Sequence, residues 1–427
     1  EVRAEDLWLD KFIDDDIVKS ATLLPEPTAE VRTVFLTGAT GFLGRFLAME
    51  WLEGLARRGG TLICLARGAD AAQARQRIEA ALDSDPALLE RFRALAGDHL
   101  EVLAGDIGEP GFGLDEASWE RLAERVDLVV HPAAHVNHLL PYRQLFTTNV
   151  AGTAEIIRLA ITARLKPIHY VSTMGVSAVA HQLVDEDTDI RRSVPRCIIN
   201  DGYANGYGVS KWAGEVLMRE AHDLCGLPIA VFRPGMILAD SRYAGQLNVP
   251  DIFTRLLFSL VTTGVAPRSF YQGSADQGAR PHYEGLPVDF LAHAIAAIGP
   301  QHGSSFDTYN TTNPHDDAIS LDTFVDWIIA AGYPIDKIDD YPAWLARFET
   351  AMRALPERQR AQSVLGVLDV YREPMAAVAG SPVPGERFRS AVERAGRAIP
   401  HVSQQLIEKY LADLERIGVL SPGSQRR

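Results

Sequence analysis

The stretch Thr33-Val-Phe-Leu-Thr-Gly-Ala-Thr-Gly-Phe-Leu-Gly44 constrains this chain more than any other. Its apolar run, Val34 to Leu36, reads as a buried strand. Gly38, Gly41 and Gly44 punctuate a turn, and Leu43, Phe46, Leu47, Trp51 and Leu55 follow at helical spacing. In a strand, glycine turn and helix of this kind the glycines permit a tight turn, a close approach of backbone to a pyrophosphate, and close packing of helix on strand. The helix N-terminus adds unpaired N–H groups and the positive end of its dipole. The stretch therefore predicts a dinucleotide site built on Gly38, Thr40, Gly41, Phe42, Leu43 and Gly44. Without the flanking strand and helix the same glycines would be an ordinary surface turn.

The rest of the first half repeats the theme. Strands are expected at Thr61–Ala66, Leu100–Ala104, Asp127–His131, Pro167–Ser172 and Ile229–Phe232, with helices at Ala69–Leu82, Ala117–Arg125, Gly152–Ala163 and Gly206–Leu224 between them. That alternation implies an α/β fold with a Rossmann-like, doubly wound parallel sheet. It is expected to occupy 31–240, with contributions from about 281–320. Beyond Pro234-Gly235 the regularity fades into further helices, Asp251–Thr263 and Asp289–Ile298 among them, so 241–280 and 321–427 are expected to form a smaller, mostly helical substrate-binding or lid region. Residues 1–30, with one amphipathic piece at Leu7–Ile13 and then Pro25-Glu-Pro27, read as a linker.

Composition excludes several alternatives. A formal charge of −14 over 427 residues argues against nucleic acid or an anionic membrane as the main partner. No apolar segment reaches the roughly 18 to 20 residues of a membrane span, and no signal-peptide pattern opens the chain, so a cytoplasmic location is expected. A start at Glu1 reads as a fragment of a longer polypeptide. Cys64, Cys197 and Cys225, odd in number and widely spaced, predict neither disulfides nor a metal site.

An acid at the end of the second strand would bind a ribose 2′-hydroxyl, whereas an arginine accommodates a 2′-phosphate. Here that strand runs into Arg67, with Arg77 on the next helix, which favours NADPH; Asp70 lies beyond the strand. Asp106 and Ile107 follow the third strand, where adenine packs, and Ala133 and Ala134 follow the fourth, where small side chains let the cofactor lie across the sheet edge.

Tyr-x-x-x-Lys occurs twice, as Tyr207…Lys211 and Tyr333…Lys337. Only the first lies on a helix bordering the expected cofactor crevice, where a four-residue spacing puts both side chains on one face. A tyrosine can protonate a developing oxyanion if its pKa comes down toward neutrality, and a nearby ammonium favours phenolate. Tyr207 is thus the expected acid and Lys211 its tuner, with Thr173 as the flanking hydroxyl donor and Ser172 the alternative. Pro234 and Gly235 are expected to cover the nicotinamide. No cysteine has an evident base partner, so direct hydride transfer is expected over a covalent adduct.

The glycine motif with Tyr207, Lys211 and Thr173 resembles the extended short-chain dehydrogenase/reductases over roughly residues 31 to 330. His131-Pro-Ala-Ala-His-Val-Asn-His-Leu-Leu-Pro-Tyr142, Asn149–Arg158 and Asn248–Arg255 resemble the C-terminal thioester reductase domain of carboxylic acid reductases, and Asp6–Asp14 resembles the linker that follows the carrier domain there. That resemblance implies NADPH-dependent reduction of an acyl thioester on a phosphopantetheinylated acyl carrier domain to the aldehyde, with an adenylation domain in the same polypeptide. It places Asp251 beside the nicotinamide pocket, where it is expected either to gate a second reduction or simply to cap its helix. Ala133-Ala134 stands where ordinary short-chain dehydrogenases have Asn-Ala-Gly, which leaves the role of Asn149 open. The alternatives are a nucleotide-sugar epimerase or dehydratase, for which retained NAD and an acid in place of Arg67 are expected, and a non-catalytic dinucleotide sensor.

Overall fold

The computed structural model describes residues 1–273, 280–298 and 305–421. The parts of the expected regions 241–280, 281–320 and 321–427 that fall outside these ranges lie outside the described residues.

Seven strands, all paired in parallel, form the main sheet: β1 (Thr33–Thr37), β2 (Thr61–Ala66), β3 (Leu100–Ala104), β4 (Leu128–His131), β5 (Ile168–Val171), β6 (Ile229–Pro234) and β7 (Phe306–Thr311). Their order is β7-β6-β5-β4-β1-β2-β3. From β1 the chain winds outward to β3, then returns to lay β4 on the other side of β1. Ligands of such sheets bind at the carboxyl ends of the strands where the winding reverses. Both neighbours of β1 are level with it, Leu36 pairing with Cys64 on one side and Val130 on the other. Val34, Phe35 and Leu36 are wholly buried, as a strand covered on both faces requires.

The helix after the glycine turn, α1 (Phe42–Arg58), stops at Gly59, whose φ of 70° closes a left-handed cap. Asp70 caps α2 (Ala71–Ala80) by accepting from Gln73 N. The long helix α3 (Asn205–Cys225) ends the same way as α1, at Gly226. The helix Pro86–Ala96, capped by Asp85 with Pro86 in its first turn, has a clear start signal but was not among the elements expected.

The chain divides into two compact units. The first comprises Glu1–Gly235, Phe290–Thr311 and Val383–Ala398; the second comprises Met236–Asp289, Thr312–Pro382 and Ile399–Arg427. Three expectations change accordingly. β7 is a seventh strand where six were expected. Residues 383–398 belong with the first unit, not the helical region: Glu186 accepts from the N–H groups of Arg387 (2.7 Å) and Phe388 (3.1 Å), and Phe388 is wholly buried. Residues 1–30 are no loose linker, since Leu7, Leu9, Ile13 and Ala21 are buried in the first unit's core and Val2–Arg3 pairs antiparallel with Arg196–Cys197.

The second unit has its own core. Helices Ile252–Thr263, Leu321–Ala330, Tyr341–Arg353 and Gln404–Arg416 surround Phe253, Phe324, Trp344 and Tyr410, and Phe253 meets Phe324 and Tyr410 edge to face. Among the described residues no helix is long and apolar enough to cross a membrane, and no group of three His, Cys, Asp or Glu is placed to hold a metal ion.

Candidate active site

The glycine turn is built as a cradle. Gly38 has φ +68°, and a Cβ there would stand 2.9 Å from Ala133 Cα, so the turn after β1 and the loop after β4 touch backbone to backbone. A Cβ on Gly44 would lie 1.9 Å from Gly38 O, which seats α1 directly against the strand end. Gly41 occupies the N-cap of α1 and offers no side-chain cap, leaving the first-turn N–H groups to a ligand. Thr40 and Gly41 are exposed, Phe42 is half-buried, and Leu43 is buried. The fit to a pyrophosphate is thus a matter of backbone shape.

Arg67 and Arg77 are both exposed, and among the described residues neither has a carboxylate within ion-pair distance. Asp70 is engaged at its helix cap. Asp106 has one carboxylate oxygen on Gly108 N at 2.9 Å, which is turn chemistry, and Ile107 is buried against Gly152, whose added Cβ would meet Ile107 O at 2.9 Å. Ala133 and Ala134 are half-buried beside the cradle, with Ala133 N directed at Thr37 Oγ1 (3.4 Å).

Tyr207 and Lys211 lie one turn apart near the start of α3. Thr173 is brought to the same turn: a Cβ on Gly175 would stand 3.4 Å from Thr173 Oγ1 and 3.9 Å from Gly208 Cα. Thr173 Oγ1 accepts from Gly175 N (3.1 Å), leaving its proton to donate. Ser172 is different. Its hydroxyl donates to the buried Glu215 carboxylate, so it is not open to oxyanion or cofactor, and Thr173 is the hydroxyl left facing the site. Met174 N–H donates to Pro234 O at 2.9 Å, which lays Pro234 and Gly235 alongside Thr173.

The electrostatics depart from the sequence expectation. Burial pushes the Tyr207 phenol up from its ordinary value, because desolvation disfavours phenolate. Lys211 does not offset this. It is 1% exposed, burial brings its ammonium down to about 7, and its Nζ sits over the Tyr170 ring, 4.2 Å from the centroid. A phenol held protonated is still a proton donor; what is missing is the expected lowering. His131, fully buried at the end of β4, is held neutral by burial and by the Lys211 charge, with Nδ1 2.8 Å from Thr37 Oγ1.

Several neighbours make contacts that the sequence does not show. Asn149, in a wide turn at Thr147–Ala151, accepts from His135 N (2.7 Å) and donates to Ser210 Oγ (2.9 Å), pinning the loop after β4 to α3. His138 places its ring 5.3 Å from the Tyr207 ring, with Nδ1 2.8 Å from Tyr203 Oη. Glu215 and Arg233 form an ion pair exposed by only 2% and 1%.

The second Tyr-x-x-x-Lys match is structural. Tyr333 donates to Glu415 and Lys337 pairs with Asp326, both in the second unit and off any common helix. Asp251, also in that unit, caps Ile252–Thr263 by accepting from Thr254 N at 2.6 Å; its other oxygen has no partner among the described residues, and burial pushes its carboxyl up to about 7. Burial also pushes the Cys64 and Cys197 thiols up to about 12, and that of Cys225 upward, the wrong direction for a nucleophile.

A parallel sheet with a glycine cradle at its switch point defines a Rossmann-like, dinucleotide-binding class of fold, with Thr173, Tyr207 and Lys211 near the carboxyl ends of its strands. Comparison with known proteins narrows the class. The nicotinamide-dinucleotide-binding family described as male sterility protein matches residues 36–295. A carboxylic acid reductase of Mycobacterium marinum is 56% identical over 428 residues, covering 98% of this chain and 36% of that protein. One from Mycobacterium tuberculosis is 52% identical and covers 98% and 37%. The crystal structure of the reductase (R) domain of a nonribosomal peptide synthetase from Mycobacterium tuberculosis is 50% identical, with a TM-score of 0.90 over 98% of this chain and 99% of that one. The chain belongs to this family of reductase domains of carboxylic acid reductases and nonribosomal peptide synthetases, and it spans about a third of the length of the carboxylic acid reductases it matches.

Proposed function

We propose that this domain uses NADPH to reduce an acyl thioester, carried on the phosphopantetheine arm of an acyl carrier domain, to the aldehyde with release of the thiol. The carrier, and the adenylation domain that loads it, would belong to the same polypeptide, as in a multidomain carboxylic acid reductase. The observation that carries this reading is the meeting of the glycine cradle, Thr173 and the Tyr207–Lys211 turn at one sheet edge, in a chain 56% identical to a named carboxylic acid reductase.

A nicotinamide dinucleotide held at the Gly38–Gly44 cradle would supply the hydride for the thioester carbonyl carbon. Tyr207 donates its proton to the oxyanion that develops there, and the Thr173 hydroxyl donates a hydrogen bond to the same oxygen. When the resulting hemithioacetal collapses, its hydroxyl proton returns to Tyr207, the C–S bond breaks, and sulfur leaves with the bonding pair and takes up a proton. Lys211, one turn from Tyr207 on α3, would hold the ribose. Arg67 and Arg77, exposed and without acidic partners among the described residues, receive the 2′-phosphate.

The test is oxidation of NADPH in the presence of an acyl-pantetheine or acyl-coenzyme A thioester, with the product identified. Formation of aldehyde and free thiol, with a preference for NADPH over NADH that Arg67→Asp abolishes, supports the reading. Turnover of nucleotide sugars with none of thioesters, or NAD retained tightly by the purified protein, overturns it.

A further inference from the structure

Glu215 lies one turn beyond Lys211 on α3 and is buried. Its carboxylate is the meeting point of three segments that each carry a residue of the site. From α3 itself come Tyr207 and Lys211. From the end of β5, Ser172 donates its hydroxyl to Glu215 Oε1, immediately before Thr173. From β6, Arg233 donates through Nε (2.9 Å) and Nη2 (2.6 Å), immediately before Pro234 and Gly235. Arg233 in turn donates to Asp185 O at 3.0 Å and reaches Asn310 Oδ1 of β7 at 3.4 Å.

Taking an acid and a guanidinium out of water costs several kcal/mol per ion, and a well-packed apolar pair of similar volume is often as stable. A fully buried pair therefore calls for a reason beyond stability, and its neighbours supply one. Among the described residues, the groups that act on Lys211 are Glu215 from its own helix, Tyr170 from β5, whose ring lies under the ammonium, and His131 from β4. Of these only Glu215 is an acid.

We propose that Glu215 is a positioning residue of the reductase site: its carboxylate ties the ends of β5 and β6 to α3, and its negative charge opposes the loss of the Lys211 proton in a dry interior. This rests on the assignment of Lys211 to the active site made above. Burial alone drives Lys211 toward the neutral amine, and Glu215 opposes that drift. The proton on Lys211 is thus favoured from behind, by a group that touches neither substrate nor cofactor.

The chain has six lysines, so the titration of Lys211 can be followed directly by ¹³C NMR of ε-labelled lysine, with Lys211→Arg assigning its resonance. In Glu215→Gln, which keeps the shape and loses the charge, the Lys211 midpoint is expected to fall by on the order of one pH unit. The alkaline limb of kcat/KM for thioester reduction should move down with it, and Glu215→Asp should restore both toward the parent. A midpoint and limb that stay in place while only thermal stability drops would make Glu215 structural and overturn the proposal. If Glu215→Gln does not fold, because Arg233 is left unpaired, the double variant Glu215→Gln with Arg233→Met is judged by the same two readouts. If the parent reduces no thioester, the proposed function fails, and the NMR midpoint still decides on Glu215.

Discussion

At the scale of single residues, Tyr207 is where the chemistry is most exposed to test. Tyr207→Phe keeps the ring and removes the proton donor, so turnover should fall by about 10²-fold or more with NADPH affinity little changed; near-normal turnover would remove Tyr207 from the role. Lysine burial makes a second prediction, about stability. Lys211 and Lys166, both buried, are brought down to about 7, against about 10.4 in an unfolded chain. Between those values the unfolded chain carries protons that the folded chain does not, so stability should rise with pH through that window, by up to about 1.4 kcal/mol per pH unit for each lysine. Below pH 7 both states are protonated and the contribution becomes a constant cost. Urea denaturation of Lys211→Met from pH 7 to 10 should show a shallower rise than the parent. Asp251→Gly is the third residue test: glycine caps nearly as well as aspartate, so a gating role predicts faster reduction of free aldehydes at little cost in melting temperature. If aldehyde reduction is unchanged while thioester reduction persists, Asp251 is only a cap. The placement of Tyr207 and Lys211 one turn apart on a helix, with Thr173 just after a strand, is legible in the sequence because a fixed spacing and a position after a strand survive without coordinates. Glu215 and Arg233 were not, because a pair eighteen residues apart and buried between a helix and a strand leaves no periodic trace.

At the scale of elements, the glycine cradle makes the most severe geometric demand. Gly44→Ala would force its Cβ to within 1.9 Å of Gly38 O, so α1 must lift from the strand, and loss of dinucleotide binding with a lower melting temperature is expected. Gly54 in the same helix is the control: its added Cβ would meet only Arg58 Nη2 at 3.6 Å, and Gly54→Ala should stabilise by roughly 0.5–1 kcal/mol through helix propensity. Equal damage from the two, read by thermal unfolding and cofactor titration, would show that the glycines matter only as helix breakers. The strand–helix alternation through β6 could be read from sequence because each strand is an apolar run. β7 could not. Phe306-Asp-Thr-Tyr-Asn-Thr311 carries polar side chains into the interior, and Asn310 is accommodated there by donating to Val184 O (3.0 Å) and Pro384 O (2.7 Å).

For the whole molecule, the first twenty-odd residues matter more than their composition suggests. Leu7, Leu9 and Ile13 are each 5% exposed or less in the first unit's core, and burying side chains of this kind contributes about 1.5–3 kcal/mol each. Removal of residues 1–23 should therefore lower the melting temperature markedly or leave the protein insoluble; an unchanged melt would reduce the segment to a tether. The segment was read as a linker because a short amphipathic piece ahead of Pro25-Glu-Pro27 gives no sign of the surface that receives it.

The first unit is assembled from three separated stretches, 1–235, 290–311 and 383–398, with pieces of the second unit between them. A chain leaving the ribosome at about 5–20 residues per second has made β6 well before β7, and roughly 4 to 17 seconds more pass before 383–398 is complete. Until β7 is made, β6 is an open edge at the margin of an apolar sheet, and until 383–398 follows, Glu186 lacks the two N–H groups that later cover it. A newborn copy of this domain thus spends part of its synthesis in need of protection that the finished protein no longer requires, and a stop codon or ribosomal stall before residue 306 would release an unfinished sheet instead of a smaller working enzyme.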